Sequence, residues 1–356
     1  MTKDKSIVIR NIYYMLAYAF QALQQDGYKD LDKEEFQNIQ NLFASILSMG
    51  ISRQIKQGLY RGYVGQREMG TSLRGKIVME DTMRNYSARK RVLTYDQDIY
   101  SENNLLNQIL KTTMLLLLRF GDVDSLYKEK LKKELLYFSA VDTISIKSIP
   151  WSKLSFDRNN QTYAMLIGIC HLLIDGLLLT TEQGDYHLAS FLHPKEMSHL
   201  YEKFLFGYFQ REWPKIKAEA SLIQWQVDDG NRKDLPEMKT DVTLSDDRRI
   251  LIIDAKFYEK TMQSYYGVYK AHSAHLYQIF AYVKNKEASL KDPLKTVSGM
   301  LLYAATEEEK QPDGCYQMSG NQISVKTLDL NQDFQKIREA LDGIVGKYFP
   351  EVGKSN

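Results

Sequence analysis

The segment Thr240-Asp-Val-Thr-Leu-Ser-Asp-Asp-Arg-Arg-Ile-Leu-Ile-Ile-Asp-Ala-Lys-Phe-Tyr258 decides the fold of this 356-residue chain. Alternating apolar and polar residues over Met238–Leu244 predict a strand that carries Asp241 on its polar face. Ser245–Arg248 is a turn, and the continuous apolar run Ile250–Ile253 is typical of a central strand covered on both faces. We therefore predict a hairpin within an α/β sheet.

Charged residues end this apolar run. Asp254 and Lys256 project to one face because strand side chains repeat every two residues, and hairpin pairing brings Asp241 beside them. Two carboxylates and the Ala255 carbonyl form an oxygen-rich site, so Asp241, Asp254 and Ala255 are the predicted Mg²⁺ ligands. Lys256 would orient or activate a water and offset negative charge during phosphodiester hydrolysis. The alternative is a surface hairpin with an ordinary ion pair.

Two helices are predicted to bring further polar residues to these strand ends. Gln278 and Tyr282 are four residues apart and share a helix face with His275 that would look onto the strands. Glu202 lies in an otherwise apolar helical stretch and would supply a further carboxylate. For each of them the alternative is an ordinary solvated or amphipathic helix face. His272 and His275 have no third nitrogen or sulfur ligand nearby, so we expect a polar surface there.

Composition excludes several classes of protein. Lys plus Arg number 47 and Asp plus Glu 45, a net charge of +2, so any DNA contact must be local or shared with a partner. Cys170 and Cys315 are too few for a disulfide framework or a thiolate zinc site and fit a reducing, cytoplasmic compartment. The most apolar stretch, Ala164–Leu179, contains His171 and Asp175 and is too short to span a membrane.

Length and pattern predict two domains. A chain of 356 residues exceeds the usual size of a single core. Pro150 and the polar stretch Ser152–Gln161 form the best linker, which gives domains at 1–152 and 153–356. The first combines helices with hairpins rich in Gly, Arg and Tyr over Ile51–Val78, which indicates an α+β domain. The second intersperses strands with helices, which indicates an α/β domain.

Two local patterns in the N-terminal half also predict structure. Asn11, followed by apolar residues at helical spacing, is typical of a helix N-cap. Gly70-Thr-Ser-Leu-Arg-Gly-Lys76 has the spacing of a phosphate-binding loop, but Ile77 stands where a hydroxyl would bind Mg²⁺. We therefore interpret this segment as a basic hairpin or loop. The chain also lacks the serine-hydrolase and zinc-hydrolase motifs.

These residues resemble a known family. Asp241, the tripeptide Asp254-Ala-Lys256 and Gln278-x-x-x-Tyr282 match the PD-(D/E)xK nuclease pattern. Further stretches resemble the McrC family, the nuclease subunits of McrBC modified-cytosine restriction systems. In order along nearly the whole chain, they are Ile9–Leu16, Arg74–Ile77, Tyr201–Leu205, Leu235–Asp241, Ile252–Tyr258 and Leu276–Gln278. One departure is that Pro236 and the first acid, Asp241, are separated rather than adjacent.

The resemblance implies a division of labour between two proteins. The α+β domain, 1–152, would dock on a hexameric ring of a McrB-like AAA+ GTPase, and 153–356 would form a restriction-endonuclease-like α/β domain. The partner would bind GTP and recognise double-stranded DNA that contains modified cytosine. This chain would stimulate GTP hydrolysis and cut the DNA with Mg²⁺. The catalytic residues implied by the resemblance are Asp241, Asp254, Lys256, Gln278, Tyr282 and Glu202.

Two rival functions remain open from the sequence. The first is a regulatory subunit whose nuclease-like site is inert and which only activates the partner GTPase. The second is an unassisted nuclease of the recombination-exonuclease type, which shares the Gln-x-x-x-Tyr spacing and would need neither partner nor GTP.

Overall fold

The computed structural model describes residues 3–4, 7–20, 23, 34, 36–120, 122–156, 160–180, 186–188, 194–258, 262–265, 268–290, 292 and 294–353. The helices are α1 (Ile9–Ala19), α2 (Ile39–Gln57), α3 (Met79–Ser87), α4 (Leu105–Phe120), α5 (Ser125–Leu135), α6 (Gln161–Leu177), α7 (Pro194–Glu212), α8 (Ser273–Ala288) and α9 (Phe334–Tyr348). The strands are β1 (Lys3–Asp4), β2 (Ile7–Val8), β3 (Gly62–Gly70), β4 (Lys76–Ile77), β5 (Leu93–Ser101), β6 (Leu178–Thr180), β7 (Tyr186–Leu188), β8 (Lys217–Glu219), β9 (Leu222–Ile223), β10 (Met238–Lys239), β11 (Val242–Ser245), β12 (Arg249–Lys256), β13 (Met262–Tyr265), β14 (Val268–Ala271), β15 (Thr296–Ala304), β16 (Gly314–Met318) and β17 (Asn321–Leu328). The predicted mixed α/β class is confirmed. Among the helices of these residues, none combines the length and apolar character needed to cross a membrane.

The chain forms two compact units, which do not follow the predicted boundary between residues 152 and 153. The sheet unit comprises Met1–Leu42, Asp175–Leu178 and Ala189–Asn356, and the hairpin unit comprises Phe43–Ile174 and Leu179–Leu188. The N-terminal residues belong to the sheet unit because α1 packs against α7. Most of α6, which lies after the predicted boundary, belongs to the hairpin unit.

The sheet unit is built around six strands in the order β16-β17-β15-β12-β11-β8. β12, β15 and β17 run parallel, whereas β16, β11 and β8 are antiparallel to their neighbours. β12 lies between β11 and β15, and its residues from Ile250 to Lys256 are all buried. The prediction of a central strand covered on both faces is therefore confirmed.

The strand predicted over Met238–Leu244 is wrong in one respect, because it breaks at Thr240 and Asp241. β10 pairs with β9, whereas β11 pairs with β12. At the break, the Thr240 backbone N–H donates to the Ser221 carbonyl at 3.0 Å. The Thr240 and Thr243 hydroxyls are also hydrogen-bonded, at 2.9 Å. The chain changes pairing partner at this point, and Asp241 leaves the strand pattern.

Asn11 does not cap a helix, contrary to the prediction, because α1 begins two residues earlier at Ile9. The Asn11 side chain is buried, and its Nδ2 donates to the carbonyls of Leu330 at 2.8 Å and Gln332 at 2.7 Å. A buried amide needs hydrogen-bond partners, and these two carbonyls precede α9. Asn11 therefore ties the N-terminal helix to a segment more than 300 residues away in the chain.

The hairpin unit contains a long antiparallel pair, β3 with β5, and the short β4 on the other side of β5. The segment from Gly70 to Lys76 connects β3 to β4, which confirms its interpretation as a hairpin or loop. A Cβ at Gly75 would lie 2.1 Å from the backbone oxygen of Asp96. The glycine thus permits a close approach of two backbones. Sequence analysis missed α3, which follows β4.

Candidate functional site

One face of β12 changes from apolar to charged along its length. Ile250 and Ile252 belong to the core that β12 shares with α8, where they meet Ile279. Because side chains alternate along a strand, Asp254 and Lys256 continue on that face. Only 2% of Asp254 and 8% of Lys256 is exposed. Burying such groups is costly unless they have partners, so their surroundings are informative.

Asp241 reaches the same place from the break between β10 and β11. The last paired residues of β11 and β12 in this direction are Val242 and Ile253. Beyond them, Asp241 Oδ2 accepts a hydrogen bond of 2.7 Å from the Ala255 N–H. The Asp241 carboxylate therefore accepts from a backbone N–H of β12 that lies beyond the end of the β11–β12 pairing.

Lys256 is held between strand and helix. Its Nζ lies 2.6 Å from Asp254 Oδ2 in an ion pair and donates to Gln278 Oε1 at 3.0 Å. Gln278 Nε2 in turn donates to the Tyr282 hydroxyl at 3.0 Å. This second bond orients the amide so that its oxygen, rather than its nitrogen, faces the ammonium group. The structure thus brings together Asp254, Lys256, Gln278 and Tyr282.

The carboxylates of this cluster resist ionisation. Burial, followed by the charges of Asp254 and Glu202, raises the pKa of Asp241 to about 7, although the Ala255 hydrogen bond and Lys256 oppose this change. Burial also raises the pKa of Asp254, although Lys256 opposes that change through its charge and its hydrogen bond. The single positive charge of Lys256 therefore does not balance the carboxyl groups of the site, and an additional cation would stabilise their charged forms.

Glu202, on α7, is half-buried and accepts a hydrogen bond of 3.3 Å from the Ser198 hydroxyl. Its charge contributes to the raised pKa of Asp241. Glu202 therefore belongs to the electrostatic surroundings of the cluster, while its side chain remains partly exposed to solvent.

The sequence predicts that His275 faces the strands, but not that Tyr303 is its hydrogen-bond partner. His275 is partly exposed, and its Nδ1 is hydrogen-bonded to the Tyr303 hydroxyl at 2.7 Å, which ties α8 to β15. Burial, Lys256 and His272 lower the pKa of His275 to about 4, which keeps the imidazole neutral beside the lysine. Tyr303 of β15 is the register partner of Lys256. No local sequence signal reveals this pair, because it depends on the parallel register of β12 and β15.

The oxygen donors suit a hard cation rather than zinc. Within the residues that the structure describes, no three His, Cys, Asp or Glu side chains are grouped to hold a metal ion. Asp241, Asp254 and the Ala255 carbonyl remain as candidate ligands. Mg²⁺ is commonly held by one or two carboxylates together with waters and substrate phosphate, so this set is sufficient for it.

Comparison with known proteins gives a family for the chain. The family described as McrBC 5-methylcytosine restriction system component matches residues 2–304. A protein of Escherichia coli (strain K12), the type IV methyl-directed restriction enzyme EcoKMcrBC, is 28% identical over 349 residues, which cover 96% of this chain and 98% of that protein.

Two solved assemblies from Thermococcus gammatolerans are also similar. One is a half-complex of McrB AAA+ hexamers with bound McrC, with a TM-score of 0.46 at 18% identity over 94% of this chain and 76% of that chain. The other is a cryo-EM structure of the McrBC complex, with a TM-score of 0.40 at 20% identity over 57% of this chain and 58% of that chain.

Proposed function

Because the chain belongs to the McrBC 5-methylcytosine restriction system component family, we propose that it is the DNA-cleaving subunit of such a system. In this proposal it is a Mg²⁺-dependent endonuclease of the PD-(D/E)xK type that also stimulates a partner GTPase. The observation that carries the proposal is the buried ion pair of Asp254 and Lys256 at the end of a central strand, with Asp241 beside it. An inert remnant would have no reason to keep such a costly pair in place.

The fit of the residues to Mg²⁺ supports the metal dependence. Asp254 Oδ2 is buried, and burial raises the pKa of this carboxyl group even though Lys256 Nζ lies 2.6 Å away. Asp241 is protonated to a large extent at neutral pH because its pKa is raised to about 7. A divalent cation would stabilise the charged forms of both carboxyl groups. Asp241, Asp254 and the Ala255 carbonyl would hold it.

Each residue of the cluster has a separate task in phosphodiester hydrolysis. Bound Mg²⁺ would supply Lewis acidity for the phosphate and lower the pKa of a water. Lys256 presents a positive charge where negative charge develops on the phosphate. Gln278 fixes the position of the ammonium group, and Tyr282 fixes the orientation of Gln278. Neutral His275 adds no competing cation beside Lys256.

We further propose that the chain works with a hexameric, McrB-like AAA+ GTPase in the cytoplasm. The GTPase would bind GTP and recognise double-stranded DNA with modified cytosine. The description of the Escherichia coli relative as a methyl-directed restriction enzyme supports the choice of DNA. The net charge of only +2 supports shared DNA binding, because phosphate contacts dominate the affinity of proteins for DNA.

The decisive experiment reconstitutes the chain with its GTPase and measures GTP hydrolysis and cleavage of DNA that contains methylcytosine. Asp254→Asn and Lys256→Ala are expected to lower the cleavage rate by more than about 100-fold, since both remove charge that the transition state requires. Stimulation of GTP hydrolysis should persist in both variants. Asp247→Asn, in the exposed turn between β11 and β12, is the matched control.

The possible results separate the three functions. Cleavage at the wild-type rate in both variants would disprove the assignment of the site. If the wild-type complex hydrolyses GTP faster but never cuts DNA in Mg²⁺, the protein is a regulatory subunit. Cutting with Mg²⁺ alone, without GTPase or GTP, would instead indicate an unassisted nuclease.

A further inference from the structure

A cleft of about 680 Å³ opens on the sheet unit. Lys195, His199 and Glu202 line it from the first turns of α7, where their spacing of about four residues puts them on one helix face. Phe257 and Tyr258, which directly follow the last residue of β12, also line it.

The cleft lies beside the proposed catalytic cluster, and Glu202 links the two. Glu202 is both a lining residue and one of the charges that act on Asp241. Phe257 follows Lys256 in the chain, and its ring lies 6.2 Å from that of Tyr201 on α7. A molecule bound in the cleft would therefore lie next to the end of β12, where the cluster is located.

The exposed groups of the cleft suit a nucleic-acid strand. Lys195 and His199 are exposed, and their side chains are typical contacts of backbone phosphates. Tyr258 is 45% exposed, and its ring stacks on that of His272 with centroids 6.4 Å apart. Aromatic rings in this setting pack against nucleotides. The nearby carboxylates repel a phosphate strand, and the positive charge of Lys195 offsets that repulsion along the approach.

We infer that this cleft holds the DNA strand on one side of the phosphodiester that is cut. Lys195 and His199 contact its phosphates, and Tyr258 packs against one of its nucleotides. The inference rests on the proposed nuclease function and adds the path by which the substrate strand leaves the cluster.

The test uses the chain reconstituted with its GTPase and a duplex that contains methylcytosine. Lys195→Ala should raise the half-saturating DNA concentration for cleavage roughly three- to ten-fold, as expected for loss of one charge-assisted contact at a surface. It should also reduce the slope of log affinity against log salt by about 1. His199→Ala and Tyr258→Ala should raise the half-saturating concentration as well. For all three variants we expect kcat within about two-fold of wild type and GTP hydrolysis unchanged.

Lys215→Ala is the matched control, because Lys215 is exposed and lies three residues beyond the far end of α7. If Lys195→Ala, His199→Ala and Tyr258→Ala all behave like this control while Asp254→Asn abolishes cutting, the cleft assignment is wrong and the proposed function stands. Failure of the wild-type complex to cut would instead count against the proposed function.

A second measurement does not depend on cutting. A photoreactive amino acid in place of Ser198, within the Asp254→Asn complex, is expected to crosslink to the labelled duplex. The same group in place of Lys215 should not. Absence of a crosslink at position 198 would overturn the inference even if cleavage could not be measured.

Discussion

Asp241 is a carboxylate whose surroundings oppose its own charge. Its pKa is raised to about 7, mainly by burial and then by Asp254 and Glu202. In an unfolded chain the same group titrates near its ordinary value of about 4. The folded state therefore binds a proton more tightly than the unfolded state. The stability that this proton contributes is fully present below pH 4 and is lost as the pH rises through 7.

Substitution of Asp241 by Asn tests this linkage in metal-free protein. The amide is neutral at every pH and can still accept the Ala255 hydrogen bond, so Asp241→Asn should raise the Tm at pH 8. The gain should shrink towards pH 5, where the wild-type carboxyl is protonated. Thermal unfolding in EDTA at pH 5, 6, 7 and 8 measures this difference in Tm. For a unit of this size, a change of about 1 kcal/mol in stability shifts the Tm by roughly 2–4 °C.

Asp247→Asn is the control for Asp241→Asn, because Asp247 lies exposed in the neighbouring turn. Its Tm difference from wild type should not depend on pH in this way. Addition of Mg²⁺ at pH 8 should stabilise the wild type and the control but not Asp241→Asn. An equal Tm difference for Asp241→Asn at pH 5 and pH 8 would contradict the raised pKa.

Secondary-structure elements were predictable from the sequence where local pattern alone decides them. The run Ile250–Ile253 predicts β12 because four consecutive apolar residues require cover on both faces of a strand. The break before β11 was not predictable, because it depends on β9, a partner about 15 residues upstream whose pairing no local pattern reveals. Asn11 was misread for a similar reason, since its hydrogen-bond partners near Leu330 are distant in the chain.

The candidate site was likewise predictable only where the local spacing of residues decides it. Residue spacing on β12 and on α8 is local, so it indicated which side chains share a face. The His275 and Tyr303 pair depends on the parallel register of β12 and β15, which the sequence leaves open. Roles for Lys195 and Tyr258 depend on how α7 packs against the sheet, which is also a long-range property.

Gly299 on β15 allows a test of how closely α8 packs against the sheet. A Cβ at this position would lie 2.8 Å from Ile279 Cγ1, 2.8 Å from Val283 Cγ2 and 2.9 Å from Ile323 Cδ1. The methyl group of Gly299→Ala must therefore push α8 from the sheet, at a cost of about 1–3 kcal/mol. Because Gln278 lies on α8, the same shift should loosen its bond to Lys256 and lower the cleavage rate.

Gly346→Ala on α9 provides the control for Gly299→Ala. A Cβ there meets nothing within 4 Å, so the substitution should stabilise the helix by about 0.5–1 kcal/mol. Urea unfolding of the two variants gives the free energies, and the cleavage assay gives the rates. A Gly299→Ala variant as stable and active as wild type would show that α8 does not need this close approach.

At the scale of the whole molecule, each compact unit is assembled from separate parts of the chain. The sheet unit needs α1, whose Ile12, Met15 and Leu16 are fully buried. On α7, the ring of Phe204 lies 5.8 Å from the Tyr18 ring, and Glu212 accepts a hydrogen bond of 2.9 Å from the Tyr18 hydroxyl. A protein with this construction cannot be divided at a single point in its sequence.

A fragment that starts at Lys153 therefore should not fold cooperatively, although sequence pattern suggests a domain boundary there. It would expose the apolar surface that α1 covers on α7, and it would carry α6, most of which belongs to the hairpin unit, without the greater part of that unit. The full chain with Asn11→Ala should fold, but lose about 2 kcal/mol of stability, since a buried and a partly buried carbonyl lose their donor. Gln335→Ala, exposed on α9, should change stability by less than about 0.5 kcal/mol. Circular dichroism during heating and limited proteolysis distinguish these cases. If the fragment melted in one sharp transition near the Tm of the full chain, α1 would not belong to the core of the sheet unit.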